Sequence, residues 1–281
     1  MPKARKRKTP IVAPSSDAAT SSRPEVTRSV IREFHVLLKR QTQLGRSGTK
    51  DAATASELDR IQQRIQELGG LERYQHMSAT GQKDDRGGGS HKIFIGWMKE
   101  LGLHKREDKG KLKMLEVGAL LPDNYQSCSS WIDCRPIDLN SRHPAILQQD
   151  FFLLDPLTNQ EKWSAISLSL VLNFVPEPKD RGRMLRMAHS MMVQDGHLFI
   201  ALPLPCVTNS RYLTIEHFKA IMSIIGFKQL KEKWREGGKM VYYLYQKEEP
   251  SPAQDGTLFS KKRELRAGPS RNNFAVLLAD A

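Results

Sequence analysis

The spacing of apolar positions changes character near residue 111. Upstream, Val30, Ile31, Phe34, Leu37 and Leu38 recur at helical intervals, with Arg28, Arg32, Lys39 and Arg40 on the other side. This predicts a helix from Glu25, ended by a Gly/Ser/Thr break at 45–49. A second helix is expected from near Ser56, whose hydroxyl suits an N-cap. Leu58, Ile61, Ile65 and Leu68 point inward, and Gly69–Gly70 serve as the stop. A polar, glycine-bearing stretch then feeds a helix carrying Phe94, Trp97, Met98 and Leu101.

Downstream, short apolar runs alternate with helical patterns, which argues for an α/β layer structure. Strands are expected at 112–117, 131–139, 145–152, 163–175 and 197–205, and helices at 181–194 and 214–227. The run at 163–175 is almost continuously apolar, as for a strand covered on both faces. The last two strands, "KQLKEKWRE" and "KMVYYLYQK", meet at a Gly237–Gly238 hairpin turn. The expected organisation is a disordered basic leader (1–24), a helical module (25–104), a Rossmann-like sheet domain (105–248) and a basic tail (249–281).

Composition narrows the partner class. The 281 residues carry a net charge of +13, with 44 basic against 31 acidic side chains, so a polyanion such as nucleic acid is the favoured partner. The cluster from Lys3 to Lys8 in "MPKARKRKTP" fits nuclear import receptors or RNA and is not a signal peptide. Three cysteines without framework or metal-ligand spacing point to reduced thiols and no metal. No apolar run reaches spanning length, so no membrane role is expected.

In a doubly wound sheet the ligand lies beyond the carboxyl ends of the strands. Those ends carry Glu116 and Gly118, Asp138, Asp150 and Asn173. Asp138 stands twenty positions after Gly118, where a carboxylate meets the hydroxyls of a ribose bound over the first turn. The turn "EVGALLPD" lacks the later glycines that let a backbone approach a pyrophosphate. Glu116 suits a ligand bearing an ammonium and a sulfonium. The pattern therefore favours S-adenosylmethionine over a nicotinamide dinucleotide. Asp138 and Asp150 are equally suited to capping the turns that follow them, and Asn173 to satisfying loop backbone groups.

The segments "GGLERYQHMSATGQKDDRGG", "LEVGALLPDNY", "PIDLNSRHPAILQQDFF", "LVLNFVPEPKDRGRML" and "DGHLFIALPLPCVTNSRYL" resemble the fungal 25S rRNA adenine-N1-methyltransferase family over roughly residues 57–246. The resemblance implies a class I, S-adenosylmethionine-dependent enzyme acting on large-subunit rRNA or a pre-ribosomal particle in the nucleus and nucleolus. It carries the cofactor glycine onto Gly118 and the cofactor aspartate onto Asp138. Asp150 corresponds to the acidic residue near the adenine amino group. Asn173 and Phe174, in "NFVP", sit where amino-methylating relatives hold their target nitrogen, although the order departs from Asn/Asp-Pro-Pro-aromatic. Arg211 and Tyr212 are further substrate-side candidates. A second reading is a non-catalytic S-adenosylmethionine sensor of the kind found in a related animal family. The basic N-terminus and basic tail favour the enzyme.

Overall fold

The computed structural model describes residues 24–46, 51–70, 72–73, 89–105, 110–249 and 256–278. The leader with its Lys3–Lys8 cluster, and most of the glycine-bearing stretch before residue 89, lie outside them. Seven strands form one sheet: β1 (Leu112–Val117), β2 (Ile132–Asp138), β3 (Leu147–Gln148), β4 (Trp163–Ser169), β5 (Met192–Pro203), β6 (Phe227–Lys233) and β7 (Met240–Lys247). Their order is β3-β2-β1-β4-β5-β7-β6, with only β7 antiparallel to its neighbours. The order reverses between β1 and β4, which creates a crevice at their carboxyl ends. This is the class I methyltransferase arrangement expected from the sequence.

Side-chain alternation sends the two halves of each strand into two cores. On one face Leu115, Val117, Ile166, Leu168, Leu198 and Ile200 pack against α5 (Pro178–Met191) and α7 (Ile215–Ile225); two short helices, α4 (Pro156–Asn159) and α6 (Pro205–Thr208), precede β4 and follow β5. On the other, Met114, Ala165, Phe199 and Leu244 pack against Phe94, Trp97 and Met98 of α3 (Ser90–Glu100). Each such large apolar side chain contributes about 1.5–3 kcal/mol by leaving water. The β1–β2 connection carries no α-helix, only a 3-10 turn at Gln126–Cys128, beside which Tyr125 is buried. A groove lined by Lys113, Asp133, Arg135, Lys162 and Trp163 lies away from the carboxyl ends.

The helical module is an antiparallel pair, α1 (Pro24–Arg46) and α2 (Ala52–Glu67), closed around Phe34, Ile61, Ile65 and Leu68. The cap of α2 is Asp51, which accepts from the Thr54 amide at 2.7 Å; Ser56 is already helical. Gly69 and Gly70 follow with φ of 94° and 70°, the left-handed stop expected of them. The Arg40–Glu57 and Arg64–Glu33 ion pairs bridge the helices, but they are solvent-exposed and secondary to the apolar contact.

Three elements differ from expectation. Strand four ends at Ser169, and its apolar continuation 170–175 is a loop roofed by the helical module. The expected strand 145–152 shrinks to Leu147–Gln148, followed by a 3-10 turn at Phe151–Leu153. Residues 256–278 are not a free tail. Phe274, Val276 and Leu278 complete the core beneath α5 and α7, because apolar residues at alternate positions enter it from an extended segment.

Candidate active site

The register places the candidate positions side by side. Val117 is paired with Ile137 and with Leu168, and Ile137 with Leu147, so Gly118, Asp138, Gln148 and Ser169 share one level at the rim. Gly118 adopts φ 73°, and a Cβ there would lie 2.8 Å from Val171 Cγ2. Its amide and that of Ala119 both donate to the Ile137 carbonyl, at 2.8 and 3.1 Å, folding the first turn over β2. Only glycine fits this cradle without strain. The start of α3 joins the same rim, where Ser90 Oγ meets Ser169 Oγ at 2.5 Å.

Glu116, on β1, is buried and faces the α3 side of the sheet. Asn124 Nδ2 donates to one carboxylate oxygen at 2.7 Å, and the Cys134 thiol stands 3.9 Å from the other. Burial pushes its carboxyl up to about 7, against the lowering effect of those two contacts. Asn124 gave no signal in the sequence, and the structure alone reveals it as the orienting partner.

Asp138 lies at the end of β2, half-buried, with one oxygen accepting from the Asn140 amide at 2.9 Å. Burial raises its carboxyl above the ordinary value. Asp150 caps the Phe151–Leu153 turn by accepting from the Phe152 amide at 2.8 Å. Both carboxylates thus make the turn bonds that the sequence allowed, each through one oxygen. Leu139, beside Asp138, is 57% exposed and offers an apolar face at the rim.

The loop after β4 carries the remaining candidates. Leu170 adopts φ 59°, uncommon for a side chain branched at Cγ, and its amide donates to the Ala201 carbonyl at 2.9 Å. Asn173 is buried, and its Oδ1 has no hydrogen-bond partner among the described residues. A buried carbonyl oxygen left unpaired costs about 1–3 kcal/mol, which suits a group that meets a ligand. Phe174, expected as a stacking face, packs against the Phe34–Ile61–Ile65–Leu68 cluster and seats the loop on the helical module. Gln43 Nε2 donates to Glu177 at 3.1 Å and fixes α1 over the same loop. Lys39 of α1 is brought near Arg181 and Cys206; burial, then Arg181, pushes its amine down to about 8.

Arg211 is not a free substrate-side group. Its guanidinium donates to the carbonyls of Arg271 and Gly268, each at 2.9 Å, and to Asn273 Oδ1 at 2.6 Å. Tyr212 is half-buried, with the Lys262 amine 5.5 Å from its ring centre. Among the described residues no three His, Cys, Asp or Glu side chains converge as metal ligands, and no helix is long and apolar enough to cross a membrane.

The family model for 25S rRNA (adenine(2142)-N(1))-methyltransferase, Bmt2, matches residues 59–276. The enzyme of that name from Saccharomyces cerevisiae is 32% identical over 265 residues, covering 93% of this chain and 75% of its own. The 25S rRNA adenine-N(1) methyltransferase of Schizosaccharomyces pombe is 33% identical over 254 residues, covering 88% of this chain and 89% of its own. Among solved structures, an S-adenosylmethionine-dependent methyltransferase from Clostridium acetobutylicum superposes with a TM-score of 0.48 at 10% identity, over 63% of this chain and 99% of that one. With a family model matching well over half its length, the chain belongs to the Bmt2 family of 25S rRNA adenine-N1 methyltransferases.

Proposed function

We propose that this protein transfers a methyl group from S-adenosylmethionine to N1 of an adenine in large-subunit (25S) rRNA during ribosome biogenesis. The observation that carries the reading is the shared level of Gly118, Asp138 and Ser169 at the sheet's switch point, beside the unpartnered oxygen of Asn173. The substrate form is large-subunit rRNA or a pre-ribosomal particle, and the site of action the nucleus and nucleolus, a reading supported by the strongly basic chain and its Lys3–Lys8 cluster.

The residues present fit the cofactor. When bound, S-adenosylmethionine supplies an electrophilic methyl group on a cationic sulfur. Gly118 leaves room for it in the crowded first turn. Asp138 has a carboxylate oxygen for ribose hydroxyls besides the one held by Asn140. Glu116, through its ionised form, favours a cationic ligand nearby, and Asp150 has an oxygen for an exocyclic amino group. Adenine N1 bears its own lone pair, so the protein's contribution is positioning more than proton removal. The base must leave its stack to present N1. Asn173 Oδ1 is the acceptor we assign to the target side, where it would hold an amino group and tolerate the positive charge of the methylated base. The α1–α2 pair acts as the module that roofs this loop, and α3 and the sheet, with the docked C-terminal segment, form the catalytic domain.

The test follows labelled methyl groups into unmodified large-subunit rRNA and into early pre-ribosomes, with digestion to nucleosides. Label in 1-methyladenosine is the expected result, lost in Gly118→Arg and strongly reduced in Asp138→Asn. Cofactor binding with no transfer to either substrate would instead favour the sensor reading.

A further inference from the structure

The docked C-terminal segment from Phe259 to Leu278 runs along the same rim as the proposed site. Helices α5 and α7 each follow a parallel strand, so their first turns lie at the carboxyl ends of the sheet. The segment touches both: the Phe259 ring lies 4.8 Å from that of His217 in α7, and the Leu277 amide donates to the Pro178 carbonyl of α5 at 3.0 Å. It is held down by its own arginines. Arg266 donates to the carbonyls of Ser210, Thr208 and Val207 at 3.1, 2.6 and 2.7 Å, while Arg211 of the same loop donates to carbonyls of the segment in return.

Three other cations of this segment behave differently. Lys261, Lys262 and Arg263 are exposed, and no carboxylate pairs with any of them among the described residues. Glu264 is the acidic residue that follows them in sequence, and Glu216 lies near Arg266. Lys262 stands over the half-buried ring of Tyr212, and Arg263 lies close enough to His217 to add to the effect of burial in lowering its affinity for a proton. Three adjacent like charges on a fixed backbone repel one another, whereas a polyanion beside them relieves that repulsion and gains counterion release. We infer that this strap is an RNA-contacting rim of the active site, on which Lys261, Lys262 and Arg263 take the phosphates flanking the target adenine. The inference rests on the rRNA-methyltransferase reading for its choice of polyanion.

The experiment compares the full chain with the triple variant Lys261→Ala/Lys262→Ala/Arg263→Ala, using an unmodified large-subunit rRNA transcript as probe over a series of salt concentrations. We expect RNA affinity near 0.1 M salt to fall by about tenfold or more. The slope of log affinity against log salt should shrink by about 2, as three lost contacts to single-stranded phosphate imply. The KM for RNA should rise by more than any change in kcat, with cofactor affinity and Tm unaltered. The charge-keeping variant Lys261→Arg/Lys262→Arg/Arg263→Lys should retain both affinity and slope. Unchanged affinity and slope in the triple-alanine variant would overturn the proposal. So would an equal loss in Lys113→Ala/Arg135→Ala/Lys162→Ala, whose charges line the groove away from the rim. A wild-type chain that binds the transcript with the full slope yet methylates neither the transcript nor early pre-ribosomes would refute the enzymatic reading and leave the strap standing as an RNA-binding surface.

Discussion

Arg181 Nε donates to the carbonyl oxygen of Val175 at 2.8 Å, tying the first turn of α5 back onto the loop that carries Asn173. The same guanidinium donates to the carbonyls of Pro176, at 2.9 Å, and Ala275, and lies 4.3 Å from the centre of the Phe274 ring. One buried side chain thus joins the proposed substrate loop to the C-terminal segment. Burial pushes its acidity to about 10, so it remains a cation at neutral pH. Arg181→Ala strands several buried carbonyls and is expected to cost about 3 kcal/mol or more. Arg181→Lys keeps the charge without the planar fork and should recover only part of that. Chemical denaturation checks the stability. In Arg181→Lys, kcat should drop with cofactor affinity retained, a split that general destabilisation does not produce.

Glu116 predicts a pH dependence. Burial raises its carboxyl from the ordinary 4.5 to about 7, so the folded protein keeps this proton where the unfolded chain has released it. Its contribution to stability is fully present below about pH 4.5, declines as pH rises to about 7, and is flat above that. The decline is about 3 kcal/mol, undiminished by solvent screening because the group is almost wholly buried. Glu116→Gln preserves an acceptor for Asn124 and removes the ionisation. The variant should therefore melt higher than wild type at pH 8, with the difference closing by pH 5. Thermal melts over this range decide it, and parallel curves for the two proteins would remove Glu116 as the source.

The sheet was legible because both of its faces are covered, so β1, β4 and β5 read as apolar runs bounded by helix signals. The same physics misled at the end of β4. Leu172 and Val175 are as buried as strand residues, yet they are covered as parts of a loop, and apolarity reports burial rather than extension. Gly118 was readable from its place after β1, and its positive φ supplies the reason that only glycine suits it. Arg211 was misread because its partners, Gly268, Arg271 and Asn273, lie about sixty positions away in a segment with no helical or strand-forming run. Phe274, Val276 and Leu278 alternate over too few positions to announce a core contribution. Asn124 became visible only when folding brought it to Glu116.

Gly118→Ala tests the first turn without the bulk of an arginine. An L-residue at φ 73° costs about 1–2 kcal/mol, and the new methyl would meet Val171 Cγ2 at 2.8 Å. Val171 lies two residues before Asn173, so its displacement reaches the proposed target side. Both cofactor affinity and kcat should fall, by about tenfold or more in the product of the two effects. Val171→Ala in the same chain removes the clash and leaves the backbone strain, so the double variant should recover partially. Calorimetric titration with S-adenosylmethionine on the four proteins of the cycle measures the coupling, and strict additivity would show that Val171 is not the obstacle.

Gly182 lies inside α5, where alanine ordinarily stabilises a helix by about 1 kcal/mol. Here the contact outweighs the propensity. A Cβ at Gly182 would run into the Leu277 carbonyl oxygen and stand 2.8 Å from its carbon, and both are backbone. The segment has little freedom to yield, because the Leu277 amide is bonded to Pro178 of the same helix at 3.0 Å. Helix and segment must therefore part. That exposes some or all of Phe274, Val276 and Leu278, whose burial is worth about 1.5–3 kcal/mol each. Gly182→Ala should destabilise the protein by about 3 kcal/mol or more, and proteolysis should cut between residues 256 and 278 in the variant before it cuts elsewhere. Deletion of residues 256–281 should produce a similar loss, and adding Gly182→Ala to that deletion should change little or add the helical gain. A Gly182→Ala variant of the full chain that melts higher than wild type would mean that α5 does not carry the segment in solution, and with it would go the clamp made by Arg181.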